Sequence, residues 1–361
     1  MNRYQRHIQL DDFGAESQKK LAATRVLVIG AGGLGCPVLM QLAAMGVGCL
    51  GIVDGDKVEW TNLHRQLLYN EKHIGLPKAE VAGEVIKSMN AEVKVEVFPV
   101  FIHEKNIFSI IEDFDIIVDG TDQIFTRYLI NDACLAAKKP WVYGAVYQYE
   151  GQVSVFNVSA EGNRNYRDLF PESNKNLGAV SCNEAGVLGL VPNLIGLLMA
   201  NEVVKWIVES EGLLSGKLLH YHVKNNRQHI FNIQKNENNS VVPDKKTVEN
   251  TDYIRLCQPD SLKRTNDWFK KLTENPNAVL VDVREKGEEP SLNNIPHKHI
   301  PMSVLEENQK SFDRFDEIIF VCLSGSRSRQ AVLWAKNNLP EKSVYHVEGG
   351  VFEIIEMYQN V

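Results

Sequence analysis

Arg25-Val-Leu-Val-Ile-Gly-Ala-Gly-Gly-Leu-Gly35 decides how most of this chain is read. An apolar run rich in β-branched residues ends in Gly30, Gly32, Gly33 and Gly35. It then opens into Cys36-Pro-Val-Leu-Met-Gln-Leu-Ala-Ala-Met45, whose apolar positions recur at helical spacing. The pattern predicts strand, tight turn and helix. Residues without a Cβ take positive φ and let a phosphate approach the amides at a helix N-terminus. Many nucleotide-binding proteins share this fingerprint, so it points to a nucleotide without choosing a reaction.

Working outward, strand and helix patterns alternate. Strands are expected at residues 26–30, 50–54, 93–97, 116–120 and 141–146, with helical stretches between several of them, which predicts a Rossmann-like, doubly wound parallel α/β sheet. Residues 152–157 add a strand. Residues 217–223 and 228–233, on either side of Lys224-Asn-Asn-Arg227, read as an antiparallel extension. Residues 3–24 look like an exposed helical arm carrying Arg3, Arg6 and His7, and 158–180 form a long polar loop of the kind that is usually functional. Residues 184–209 read as a buried helix region. Its apolar run, 187–200, holds Pro192 and Asn193 and is too short to span a bilayer. The expected domains are 1–235, a polar linker at 236–252, and a small α/β unit at 253–361 with strands at 279–283, 317–322 and 343–347.

The 361 residues suffice for two cores, and the hydrophobic fraction of 44% is ordinary. A net charge of −7 makes nucleic acid an unlikely general partner. The first residues, Met1-Asn-Arg-Tyr-Gln-Arg-His7, carry no apolar signal segment. The six cysteines, at 36, 49, 134, 182, 257 and 322, include no C-x-x-C pair. A cytoplasmic protein with free thiols and no membrane contact is the expectation.

Asp54 lies 24 residues beyond Gly30 at the end of the second strand, where a carboxylate accepts from ribose hydroxyls. An NAD enzyme fits this equally well. Asn62-Leu-His-Arg65-Gln66, Gly75-Leu-Pro-Lys78 and Gly120-Thr-Asp122 break the tie. Two cations near the glycine turn suit a triphosphate, and a carboxylate at a strand end suits Mg²⁺; hydride transfer needs neither. Taken singly, Arg65 and Lys78 are ordinary surface cations and Asp122 an ordinary N-cap. Their joint order is what counts. With R-x-x-R before them and Cys182-Asn-Glu-Ala-Gly186 after, the series resembles the MoeB/ThiF family of ubiquitin-activating-enzyme-like adenylyltransferases over roughly residues 1–235.

That resemblance implies ATP with Mg²⁺, and adenylation of the C-terminal Gly-Gly of a ubiquitin-like sulfur-carrier protein by a homodimer. By position, Gly30, Gly32, Gly33 and Gly35 form the phosphate turn and Asp54 holds the ribose. Asp56 and Asn62 line the pocket, while Arg65, Gln66 and Lys78 grip phosphate. Asp122 holds Mg²⁺, Arg6 reaches the partner subunit's site, and Cys182 takes the place of a cysteine implicated in covalent steps. Many relatives carry zinc-binding C-x-x-C pairs. Here the first reads Asn165-Tyr-Arg-Asp168 and the second has no counterpart, so no structural zinc is expected.

Cys322-Leu-Ser-Gly-Ser-Arg327-Ser328 closes another apolar strand and opens another helical pattern. A cysteine among loop amides, beside an arginine and a helix N-terminus, is in a nucleophile's surroundings. Cysteine phosphatases place five residues between Cys and Arg, whereas rhodaneses of this size place four, as here. Together with Val281-Asp-Val-Arg-Glu285 and Val347-Glu-Gly-Gly-Val-Phe352, the loop resembles the rhodanese active loop, with Asn293-Asn-Ile-Pro-His-Lys298 a weak match to another rhodanese segment. The fused pair resembles adenylyltransferase–sulfurtransferases of the MoeZ type. The resemblance implies a Cys322 persulfide, loaded by a donor such as a cysteine desulfurase, that turns the carrier adenylate into a thiocarboxylate. Open alternatives are a tRNA-modifying dehydratase of the same family, an NAD-dependent oxidoreductase, and a carrier-binding scaffold with a silent rhodanese domain.

Overall fold

The computed structural model describes residues 3–158, 164–171, 186–236, 242–253, 261–262, 272, 274–292, 295–323, 325–347 and 350–359. Two compact units divide the chain, Met1–Tyr253 and Ile254–Val361.

The first unit runs α1 (Gln5–Ile8), α2 (Gly14–Ala23), β1 (Arg25–Ile29), α3 (Gly35–Met45), β2 (Cys49–Val53), α4 (Lys78–Met89), β3 (Lys94–Phe98), α5 (Ile107–Ile111) and β4 (Ile116–Asp119). It continues with α6 (Ile124–Ala137), β5 (Trp141–Tyr147), β6 (Glu150–Phe156), α7 (Tyr166–Leu169), α8 (Leu190–Val208), β7 (Lys217–His222), β8 (Arg227–Asn232) and α9 (Lys245–Asn250). Its sheet has eight strands in the order β3-β2-β1-β4-β5-β6-β7-β8. The β3-to-β5 half is parallel and the β5-to-β8 half antiparallel. This is the Rossmann-like sheet with an antiparallel extension that the pattern predicts. β1 and β4 read as unbroken apolar runs because parallel strands in mid-sheet are covered on both faces.

Helix α8 shows how glycines set packing. A Cβ on Gly144 of β5 would lie 2.2 Å from Met199 Sδ, and one on Gly151 of β6 would lie 2.2 Å from Ile195 Cγ1, so the sheet meets this helix at backbone distance. At 19 residues α8 is longer than the apolar run suggests, and by length and composition alone it would cross a bilayer. Half of it is buried within the unit, against α3, β5 and β6, as expected of a core helix.

The N-terminal arm also departs from expectation. Leu21 and Gln18 of α2 are buried, and the Tyr4 hydroxyl donates to Glu92 and accepts from Asn90 Nδ2. Arg6 is exposed on α1. Residues 242–252, read from sequence as part of the linker, and Tyr253, read as the start of the second domain, pack on the first unit. Asp244 caps α9, Val248 is buried, and the Tyr253 hydroxyl donates to Asp132 of α6 at 2.9 Å. Polar composition hid this because the anchoring contact is 121 residues distant in sequence.

The second unit contains β9 (Ser261–Leu262), β10 (Ala278–Asp282), β11 (Lys298–His299), β12 (Glu317–Val321), α10 (Ser326–Asn338), β13 (Ser343–Val347) and α11 (Gly350–Gln359). Its five-stranded sheet, β11-β10-β12-β13-β9, is parallel throughout. β12 alternates cleanly: Ile318 and Phe320 join one core, Ile319 and Val321 the other. β9 and β11 escape sequence reading because two residues carry no periodicity.

Candidate functional site

The glycine turn is defined by backbone contact. Gly30 has φ +91°, and a Cβ there would sit 2.9 Å from the Gly120 carbonyl; one on Gly35 would sit 1.9 Å from Gly30 O. No side chain fits at either place. β4 thus ends against the turn, with Asp122 exposed two residues beyond Gly120.

Asp54 closes the turn from the second strand. Its carboxylate accepts from Ala31 N and Asp56 N, each at 2.8 Å. Burial pushes this carboxyl up from the ordinary aspartate range, partly offset by the Lys78 charge and by those amides. Lys78 is 6% exposed, and its ammonium reaches Asp56 Oδ2 at 3.1 Å. It is therefore no surface cation. The Tyr69 hydroxyl bridges turn and lysine, donating to Ala31 O at 2.8 Å and lying 3.3 Å from Lys78 O.

Arg65 and Gln66 approach from the other side. A Cβ on Gly33 would lie 3.5 Å from Arg65 Cγ, and one on Gly32 would lie 3.7 Å from Gln66 Nε2. Gln66 is buried, and its Oε1 has no hydrogen-bond partner among the described residues. A buried amide oxygen left unpaired is costly, which fits a site built around a ligand with donors of its own. Asn62 is buried too, but its Oδ1 accepts from Glu59 N at 3.3 Å, so it shapes the turn that presents Arg65.

Sequence reasoning missed a second layer. Asn193, at the start of α8, donates to Arg65 O at 3.1 Å. Asp119 is wholly buried at the end of β4. Its Oδ1 accepts from both Thr121 N and Thr121 Oγ1, and its Oδ2 lies 3.7 Å from Arg127 Nε. Arg127 in turn donates to Thr121 O at 2.9 Å, which fixes the loop carrying Asp122. The signal available was a polar residue within an apolar helix, and it has no address without the fold.

Caps, ring packing and an ion pair hold the Asn165–Asp168 segment. Asn165 and Asp168 cap α7 reciprocally, and Tyr166 is buried among Tyr128, Trp141, Tyr143, Phe156 and Phe170. Arg167 forks onto Asp132, and Asp168 Oδ1 accepts from Asn236 N at 2.9 Å. Cys182 lies outside the described residues.

In the second unit, Cys322 follows β12 and is buried. Its Sγ lies 3.5 Å from Ser328 Oγ, which donates to Gly325 O. Gly325 takes φ +90° just before α10. Gly350, at φ +65°, packs so closely that a Cβ would meet Leu323 O at 2.3 Å, and Val351 N donates to Cys322 O. Arg327 pairs with Glu288 through both terminal nitrogens. Among the other described cysteines, burial pushes the Cys36 thiol up to about 12 and raises Cys49 and Cys134 as well. They read as packing residues.

A model of the ThiF family matches residues 4–242, well over half of the chain. The chain belongs to the ThiF family. A model of the rhodanese-like domain matches residues 265–357, making this ThiF protein a fusion. It is 34% identical to MoeZ of Mycobacterium tuberculosis, described as a probable adenylyltransferase/sulfurtransferase, over 97% of this chain and 91% of that one. It is also 34% identical to the adenylyltransferase and sulfurtransferase MOCS3-2 of Zea mays, over 91% and 74%. With MOCS3 of Culex quinquefasciatus the identity is 45%, over 60% of this chain but only 49% of that protein. Among solved structures, E. coli MccB with ATP superposes with a TM-score of 0.57 at 25% identity, over 67% of this chain and 75% of MccB. This ThiF-family chain is thus an enzyme of the adenylyltransferase and sulfurtransferase type.

Proposed function

We propose that the first unit adenylates the C-terminal Gly-Gly of a ubiquitin-like sulfur-carrier protein with ATP, and that Cys322 supplies the sulfur that converts the product to a thiocarboxylate. The convergence of Arg65, Gln66 and the buried Lys78 on the glycine turn supports this above all, because neutralising phosphate charge stabilises a departing pyrophosphate. Asp54 holds the ribose hydroxyls. Asp122, exposed at the end of the β4 loop, provides an oxygen ligand for Mg²⁺, which would screen the phosphates. Asn165–Asp168 are assigned no zinc, in keeping with the caps and ring packing that hold them.

A sulfur donor such as a cysteine desulfurase loads Cys322 as a persulfide. Its terminal sulfur attacks the acyl carbon and expels AMP, leaving an acyl disulfide on Cys322. A thiol, Cys182 or an external one, then cleaves the S–S bond and releases the thiocarboxylate; the disulfide left behind is reduced by a dithiol. The enzyme works as a cytoplasmic homodimer. Arg6 is directed at the partner subunit's site, and the face of α3 and α8 bearing Met45, half-exposed Leu197 and Val204 lies at the interface.

Carrier-dependent ATP–pyrophosphate exchange with a panel of Gly-Gly-ended carriers tests this, with Cys322→Ala alongside. Exchange is expected in both proteins, and thiocarboxylate only with the unmodified one. Absence of exchange with every carrier, together with tRNA-stimulated ATP use or nicotinamide binding, would overturn the assignment.

A further inference from the structure

The mouth of the Cys322 loop is shaped from the end of β10. Asp282 and Arg284 are both buried and form a two-pronged ion pair, with Arg284 Nη2 at 2.7 Å from Asp282 Oδ2 and Nε at 3.0 Å from Oδ1. The remaining guanidinium nitrogen, Nη1, donates to Pro290 O at 2.9 Å, and His299 Nε2 lies 2.8 Å from Arg284 O. Those bonds set the course of residues 284–290. Within that turn Glu285 N donates to Glu288 Oε1 at 2.7 Å, so the Glu288 carboxylate is held at a fixed place. There it meets Arg327: Nη2 donates to Oε2 at 2.6 Å and Nη1 to Oε1. Both terminal nitrogens of the loop arginine are engaged, and a carboxylate neutralises the cation that would otherwise face an incoming anion.

We propose that Glu288 is a positioning residue that sets the donor class of this loop, holding Arg327 and cancelling its charge so that sulfur delivered as a persulfide, R–S–SH, is accepted in preference to the dianion thiosulfate. The proposal rests on the sulfurtransferase role assigned to Cys322. In either reaction the Cys322 thiolate attacks the donor's outer sulfur. A bond forms between Sγ and that sulfur, the donor's S–S or S–SO₃ bond breaks, and the electron pair leaves with R–S⁻ or with sulfite. The persulfide sends away a singly charged thiolate. Thiosulfate brings two negative charges beside the attacking thiolate and sends away a dianion, so it depends far more on an uncompensated cation at the mouth. Hydrogen bonds from Arg327 hold the Glu288 carboxyl at about 2, so it remains ionised at any working pH.

The test uses the full chain with Glu288→Gln, which keeps an acceptor for Glu285 N, and Glu288→Asp, which keeps the charge. Thiocyanate formation is followed over a range of thiosulfate concentrations with cyanide as acceptor. Single-turnover loading of Cys322 by N-acetylcysteamine persulfide is read by intact mass. Glu288→Gln should raise kcat/KM for thiosulfate about tenfold, chiefly through a lower KM, with a steeper loss on adding salt. Glu288→Asp should remain near the unmodified protein, and persulfide loading should stay within about twofold in all three. Unchanged or reduced thiosulfate turnover in Glu288→Gln, with normal persulfide loading, overturns the proposal. Loss of loading from both donors in that variant overturns it too, because Glu288 would then merely shape the loop. If the unmodified chain loads from neither donor, the sulfurtransferase role itself fails and takes the proposal with it.

Discussion

The turn after β1 and the loop after β12 are the same local device, a parallel strand ending in a loop at a helix N-terminus, made for opposite purposes. At Gly30–Gly35 side chains are excluded: backbone sits on backbone, and Arg65, Gln66 and Lys78 come from other segments. At Cys322–Ser328 side chains are the content, with thiol, hydroxyl and guanidinium all supplied by the loop. An empty turn leaves backbone amides uncovered by side chains, with the charged side chains brought from other segments. A filled loop surrounds one sulfur with its own side chains, and its arginine is held by Glu288 from the turn after β10. Substitutions in the first should therefore act on folding and binding together, and in the second on a single chemical step.

The largest effect should come from Cys322→Ala, which removes the proposed sulfur-bearing atom: carrier thiocarboxylate should fall below detection by mass spectrometry, while ATP–pyrophosphate exchange should stay within about twofold. Gly35→Ala breaks the other member of the pair. Its Cβ would stand 1.9 Å from Gly30 O, so urea denaturation should show about 3 kcal/mol lost, with exchange abolished. Lys78→Met should cost about 10²-fold in exchange kcat/KM, because the lost charge is one offered to the transition state, and thiosulfate sulfurtransfer should not change. Ser328→Ala, by removing the hydroxyl beside Sγ, should slow persulfide loading by about tenfold. The smallest effect is in pH. Glu288 ionises at about 2 in the folded protein and near 4.5 when unfolded. Its pairing with Arg327 should thus stabilise fully above pH 4.5 and fade as pH falls toward 2, so melting curves of the protein and Glu288→Gln should converge over that interval.

Residues whose chemistry is dictated by the backbone were legible in the sequence. The glycines of the turn and the apolar runs of β1, β4 and β12 have few alternative explanations, and Asp54 and Lys78 stand in an order that isolated charges do not produce. Asp119, Arg127 and Asn193 were hidden because each sits inside an apolar strand or helix, and its purpose exists only once Thr121 and Arg65 are beside it. Glu288 was hidden by company: Glu285, Glu288 and Glu289 are equivalent in composition, and only the frame built by Arg284 singles one out. Residues 242–252, read as linker, and Tyr253, read as the start of the second domain, misled for the converse reason. A polar segment needs few apolar anchors to dock, and Val248 and Tyr253 are enough.

The anchoring of Asn165–Asp168 by stacked rings and reciprocal caps bears on life under chemical stress. A segment secured by metal-bound thiolates comes loose when an oxidant or a chelator arrives. Tyr166 in its ring cluster and Asp168 on Asn236 N rely on ring packing and hydrogen bonding, so these particular contacts of the first unit do not depend on a thiolate.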